Sequence, residues 1–254
     1  MTKTDQSFDG IAHKFDANIY GTSKGRLRHT LLMDNLQPYL TQREHLKVID
    51  IGGGTGEMTL EALRCGHSVV LNDLSADVLA IAKQKLAPFV DQSSQRLELL
   101  HADLQDIPHD AFDIVMCHAV LEWTAEPLRV VERLVSLLSS DGLLSLSFFN
   151  YHAALFGNAL YGNFDFIQRG MPSRNTVRLN PHNPQKPEVI LAALEQMGLQ
   201  VEVSAGIRCF HDYLRDREHQ DTKYDDLLAL ERELSDQVPY KWLGRYFHII
   251  AKQQ

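Results

Sequence analysis

The run Val48-Ile49-Asp50-Ile51-Gly52-Gly53-Gly54-Thr55-Gly56 carries an apolar strand straight into a glycine turn, and Asp73 closes the next apolar run, Val69-Val70-Leu71-Asn72. Glycine permits positive φ and lets a ligand approach the main chain closely. The helix expected from about Met58 to Cys65 aims its free N–H groups at the same point. A carboxylate about 20 positions beyond the first glycine, at the tip of the second strand, can accept both hydroxyls of a ribose. The ligand expected here therefore contains a nucleoside. A dinucleotide fingerprint would require glycine where Glu57 stands, and a pyrophosphate would be repelled by that carboxylate. Asp50 and Glu57 around the turn suit a cation instead. A dinucleotide and a turn without ligand are the competing readings, because glycine loops alone are a weak signal.

S-adenosylmethionine meets these requirements, with a sulfonium, an ammonium and no phosphate, and the turn resembles the first motif of class I methyltransferases. The order of elements agrees. Strands are expected at Lys47 to Ile51, Ser68 to Asn72, Leu97 to His101, Phe112 to Cys117, Leu143 to Phe149, Leu199 to Ala205 and Arg245 to Ala251. Helices are expected at Ala76 to Phe89, Pro127 to Leu138 and Pro187 to Met197. Alternating strands and helices imply an α/β, Rossmann-like fold: a seven-stranded, mainly parallel sheet covered on both faces, with an antiparallel final strand. At 254 residues and 44% hydrophobic content, with no linker or repeat, a single methyltransferase domain over 1–254 is expected. It would carry an N-terminal helical cover over 10–40 and a substrate insertion at about 150–186.

In such sheets ligands gather beyond the carboxyl ends of the strands. After the third strand, Leu104 and Gln105 are placed to wrap an adenine, offering apolar cover and amide hydrogen bonds. His118 ends the fourth strand beside the expected methionine portion, with Val120 and Trp123 as pocket wall or core. Residues Ala17 to Met33 contain Lys24, Arg26 and Arg28 before any acid. A basic helix over the glycine turn would let Arg28 clamp the methionine carboxylate with its bidentate fork. Cys65, Cys117 and Cys209 form no C-x-x-C, and no histidine lies in H-E-x-x-H, so neither disulfides nor a metal are expected. No apolar run approaches the roughly 18 residues of a membrane span and the N-terminus lacks a signal core, so a cytoplasmic protein is expected.

Further motifs are more specific. Asn18-Ile19-Tyr20-Gly21-Thr22, Lys24-Gly25, Leu27-Arg28, His118 to Trp123, Gly162-Asn163-Phe164-Asp165, Gly170-Met171-Pro172 and Phe210 to Arg215 together resemble the bacterial tRNA 5-carboxymethoxyuridine methyltransferases. The resemblance spans nearly the whole chain. It implies methyl esterification of uridine-5-oxyacetic acid at the tRNA wobble position, with Arg28, Gly52, Gly53, Asp73, Leu104, Gln105 and His118 holding the cofactor. Asp103 departs from the family pattern, being acidic where a relative carries a small residue.

A net charge of −8 argues against a general nucleic-acid binder. The acids are unevenly placed, however: Phe166 to Lys186 holds Arg169, Arg174, Arg178, His182 and Lys186 with no acid, which reads as a face for the anticodon loop of tRNA. A wobble base is already unpaired and can be splayed onto aromatics, with Tyr151, Phe164, Tyr213 and Tyr246 as candidate platforms. A carboxylate acceptor is ionised at neutral pH and needs no general base. It does need countercharge in a dry site, for which Arg208 is favoured over Arg178, His211 and Arg245. The alternative is a small-molecule C- or O-methyltransferase, which would share the cofactor motifs and require a base such as His118 or His211.

Overall fold

The computed structural model describes residues 22–90, 96–172 and 183–253. Helix α1 (Ser23–Leu40) leads into β1 (Lys47–Ile51), α2 (Glu57–Arg64), β2 (Ser68–Asp73), α3 (Ala76–Leu86), β3 (Leu97–His101) and β4 (Phe112–His118). Then follow α4 (Pro127–Ser136), β5 (Leu138–Phe149), α5 (Tyr151–Leu160), α6 (Phe164–Gln168), α7 (Pro187–Gln196), β6 (Leu199–Ile207), α8 (Tyr224–Leu234) and β7 (Tyr246–Gln253). The sheet order is β3-β2-β1-β4-β5-β7-β6. Strands β1 to β5 run parallel, while β7 is antiparallel to both β5 and β6.

Strand composition follows from two-sided burial. Val48, Ile49 and Ile51 of β1 and Ile114, Val115, Met116 and Cys117 of β4 are all buried, pointing alternately into two cores. Helix α1 lays Leu27, Leu31, Leu32, Leu36 and Leu40 into one of them. Its N-terminus is capped by Thr22, whose hydroxyl accepts from the Gly25 N–H at 3.3 Å. Ser75 caps α3 and Asn150 caps α5 in the same way.

Most boundaries fall within two residues of the sequence reading, and two others depart from it. The helix expected to reach Phe89 tightens to a 3₁₀ turn over Ala87–Phe89, where Pro88 cannot continue the α pattern. Strand β5 begins at Leu138 rather than Leu143: Phe112 pairs with Leu138 and Ile114 already with Leu143, so the polar residues between bulge out and expose Ser140 and Asp141. Among the described residues no helix is long and apolar enough to cross a membrane.

Candidate functional site: a nucleoside cavity with a cationic mouth

Beyond β1 the chain turns through Gly52 at φ 60°. A β-carbon there would lie 2.5 Å from Val120 Cγ2, and one on Gly53 would lie 2.3 Å from Leu71 Cδ1, so neither position has room for a side chain. Asp73 ends β2 with its carboxylate already oriented: Oδ2 accepts from the Gly54 N–H at 3.1 Å and Oδ1 from the Ser75 N–H at 2.9 Å. Asn72 Nδ2 donates to the carbonyls of Leu100 and Ala102, at 3.1 and 2.9 Å, which ties the tip of β3 to β2. Asp103 then caps the single turn Leu104–Asp106 by accepting from the Gln105 N–H at 2.8 Å. The acidic departure in this motif thus has a local structural task.

These tips enclose a cavity of about 490 Å³, lined by Arg28, Gly52, Gly53, Asp73, Leu104, Gln105 and His118 together. That volume suits a nucleoside-sized ligand. Val120 and Trp123 are wall. Sequence reasoning missed Leu74 and Val78, and the opposite wall from Thr124 to Glu126 with Arg129 and Val130. Leu74, Val78 and Val130 read as packing residues, 124–126 as loop and Arg129 as a surface cation paired with Glu126 until the turn is folded. Asp50 lines the cavity but is buried, accepts from the Thr59 hydroxyl at 2.7 Å, and is pushed by burial up to about 7 despite that bond. Glu57 does not face a cationic ligand as expected. It pairs with Lys85, away from the cavity lining.

Beside the cavity, with Tyr246 in its lining, stands one cross-strand pair. Phe149 of β5 and Tyr246 of β7 are register partners with ring centroids 6.3 Å apart. The Arg245 guanidinium sits 4.3 Å from the Phe149 centroid and that of Arg28 sits 5.2 Å from Tyr246. Neither arginine makes a salt bridge among the described residues. Beside them Glu122 is fully buried; its Oε2 accepts from the Phe149 N–H at 3.3 Å and its Oε1 has no hydrogen-bond partner among the described residues. Burial pushes this carboxyl up to about 7, opposed by backbone hydrogen bonds and the charges of Arg28 and Arg245. Burial also pushes the His118 imidazole well below its ordinary range, reinforced by His248, Arg28 and His29.

Two of the cations considered for the substrate carboxylate are engaged with Asp212 inside the fold. Arg208, at the end of β6 with φ 65°, donates from Nε at 2.8 Å and from Nη2 at 2.5 Å to the two oxygens of Asp212, so its fork is occupied. His211 is 2% exposed and faces Asp212 at 3.5 Å rather than the cavity. Arg178 lies outside the described residues, as do Arg174, His182 and the motif Asn18 to Gly21. Arg245 precedes β7 and lies on Phe149, outside the cavity lining but next to Tyr246, which belongs to it. Of the aromatic candidates, Tyr213 is engaged through its hydroxyl with the Leu243 carbonyl at 2.8 Å, and Tyr151 lies under Lys186. Phe164 is 60% exposed, and Tyr161, which sequence reasoning passed over, is 67% exposed with its hydroxyl held by Arg217.

Strand order, glycine turn, strand-tip aspartate and cavity define an S-adenosylmethionine-dependent class I methyltransferase. The methyltransferase domain family matches residues 49–144. Magnesium protoporphyrin IX methyltransferase from Synechocystis, solved with bound S-adenosylhomocysteine, shares the fold at TM-score 0.66 and 16% identity, covering 97% of this chain and 96% of that one. A ubiquinone biosynthesis O-methyltransferase of Xanthomonas euvesicatoria is 29% identical over 63% of this chain and 65% of its own. The tRNA 5-carboxymethoxyuridine methyltransferase of Escherichia coli (strain K12) is 41% identical over 98% of this chain and 97% of its own. The chain belongs to the tRNA 5-carboxymethoxyuridine methyltransferase family.

Proposed function

We propose that the protein transfers a methyl group from S-adenosylmethionine to the carboxylate of 5-carboxymethoxyuridine at the tRNA wobble position, giving the methyl ester. The observation that carries this reading is the aromatic pair beside the cavity, where Arg28, a lining residue, and Arg245, next to the lining residue Tyr246, lie on Tyr246 and Phe149 without a salt bridge among the described residues. Cations held this way beside a buried cavity fit an anionic acceptor. The cofactor supplies a methyl made electrophilic by its sulfonium. Asp73 accepts from the ribose hydroxyls, Leu104 and Gln105 cover the adenine, Gly52 and Gly53 admit the main-chain approach, and Arg28 with His118 holds the methionine end. Arg245 takes the acceptor carboxylate in place of Arg208. No residue has to remove a proton, because the acceptor is ionised at neutral pH. The protein's contribution is alignment in a dry site.

The single domain spans the chain in this reading, with α1 as cover and the segment from 150 to 186 as the RNA-facing insertion. The described end of the acid-free stretch is stitched to the cavity wall: Asn183 donates to the carbonyls of Glu122 and Thr124 at 3.2 and 3.0 Å. Phe164 and Tyr161 offer the anticodon loop stacking faces worth about 1–3 kcal/mol per base. A tRNA substrate implies a cytoplasmic reaction. The test is methyl transfer to bulk tRNA from cells lacking the protein, followed by nucleoside mass spectrometry. The methyl ester of 5-carboxymethoxyuridine is the expected product. Methylation of a small hydroxyl or carbon acid instead, with a rate that rises through a histidine titration, would establish the small-molecule alternative.

A further inference from the structure

His118 closes β4 with 8% exposure, against the cavity. Its Nε2 lies 2.9 Å from Ser145 Oγ, that oxygen lies 2.9 Å from His248 Nε2, and His248 Nδ1 lies 3.1 Å from Asn35 Nδ2. One hydrogen-bonded chain therefore crosses the sheet from the cavity through β4, β5 and β7 to α1. Donor counting fixes its direction. An amide nitrogen only donates, so His248 Nδ1 accepts. His248 is fully buried, which pushes its imidazole down to about 3, so the ring is neutral and carries its proton on Nε2. That N–H donates to Ser145 Oγ. The hydroxyl makes no third hydrogen bond among the described residues, so its own proton goes to His118 Nε2. Neutral His118 then carries its proton on Nδ1, the ring nitrogen with no partner among the described residues.

We infer that Asn35, His248 and Ser145 are positioning residues that lock His118 as an Nδ1–H donor, and that this donor takes a carboxylate in the cavity. The charged and titratable groups around His118 are Arg28 and His29 on α1, His248 on β7 and Glu122 beyond β4. A fixed N–H beside the Arg28 guanidinium favours an anion. Two carboxylates qualify: that of the cofactor's methionine and that of the acceptor uridine. The choice between them rests on the methyl-transfer reading, whereas the tautomer does not. A histidine locked this way has no lone pair left on Nδ1, so through that atom it is a donor and not a base.

Long-range proton–nitrogen spectra of the full chain labelled with ¹⁵N-histidine, assigned with His118→Gln and His248→Gln, report the tautomers directly. His118 protonated on Nδ1 and His248 on Nε2 are expected; His118 protonated on Nε2 overturns the inference. Asn35→Asp replaces the terminal donor with an acceptor, which reverses every bond and turns His118 Nδ1 into a lone pair. Its spectrum should show the switched tautomer, and an unchanged one would remove Asn35 from the chain. Should this variant fail to fold, the wild-type spectrum still decides. Asn35 does not line the cavity, so affinity changes in the folded variant act through the chain. S-adenosylhomocysteine bound about tenfold more weakly, with 5′-methylthioadenosine unchanged, assigns the donor to the methionine carboxylate. Weakening confined to tRNA that carries the acidic uridine, against tRNA without it, assigns it to the acceptor. Unchanged affinity for all four ligands overturns the carboxylate role.

Discussion

Arg208→Met separates a structural cation from a substrate-binding one. In the fold the Arg208 side chain is 9% exposed and Asp212 is 25% exposed, and two nitrogens of the one meet both oxygens of the other. Removing one partner of a fully buried pair costs about 3–5 kcal/mol, because a desolvated charge is left alone. The partial exposure of Asp212 lowers that to about 2–3 kcal/mol, measured as a fall in the urea midpoint at pH 7. The double variant with Asp212→Leu should recover most of the loss, since neither charge then remains. The pH dependence follows from Asp212. Burial would raise its carboxyl, but the Arg208 charge, the nearby His211 ring, the hydrogen bonds from Arg208 and the Arg245 charge together hold it far below the usual carboxylate range. A depressed acid contributes its stability above its unfolded value of about 3.9 and loses it as pH falls further. The gap between wild type and Arg208→Met should therefore be full at pH 7 and narrow below about pH 4. If Arg208→Met unfolds at the wild-type urea concentration but no longer distinguishes tRNA bearing the acidic uridine, the pairing argument is wrong and Arg208 is the substrate cation after all.

Arg245→Ala should leave cofactor affinity intact and weaken tRNA carrying 5-carboxymethoxyuridine by at least about tenfold, read by filter binding against tRNA lacking that acid. Asp73→Ala, in contrast, should weaken S-adenosylmethionine in calorimetry without touching the mouth. Gly53→Ala would force its β-carbon against Leu71 and Asp50, at a cost of about 1–3 kcal/mol in thermal unfolding together with lost cofactor binding. Glu122 is an acid raised to about 7 in the fold, so stability should decline as pH rises from about 4.3 to that value. Glu122→Gln should flatten that slope, by an amount on the order of 3 kcal/mol between the two ends.

The parallel half of the sheet was legible because its strands are short apolar runs punctuated by glycine or acid at the tip, as at Ile51-Gly52 and Asn72-Asp73. Burial on both faces leaves little freedom in composition there, and the same tips supply residues that line the cavity. The countercharge was not legible. Arg208 and Arg245 look equivalent in a sequence, since both stand at strand ends near aromatics. What separates them is Asp212, four residues past Arg208, which fills its fork, while Arg208 itself takes a left-handed conformation that a sequence does not advertise in arginine. The proton order behind His118 was equally hidden: Asn35 and His248 are 213 residues apart and meet only when β7 inserts between β5 and β6 beneath α1.

The hydrogen bonds from Asn183 to the Glu122 and Thr124 carbonyls make the end of the basic segment and one wall of the cavity a single mechanical part. Thermodynamic linkage then allows no one-way traffic. Whatever factor a docked RNA applies to nucleoside affinity by shifting that wall, the nucleoside must return to RNA affinity. On the proposed reading, with RNA docked on that segment, cofactor affinity and tRNA affinity would be coupled through this seam.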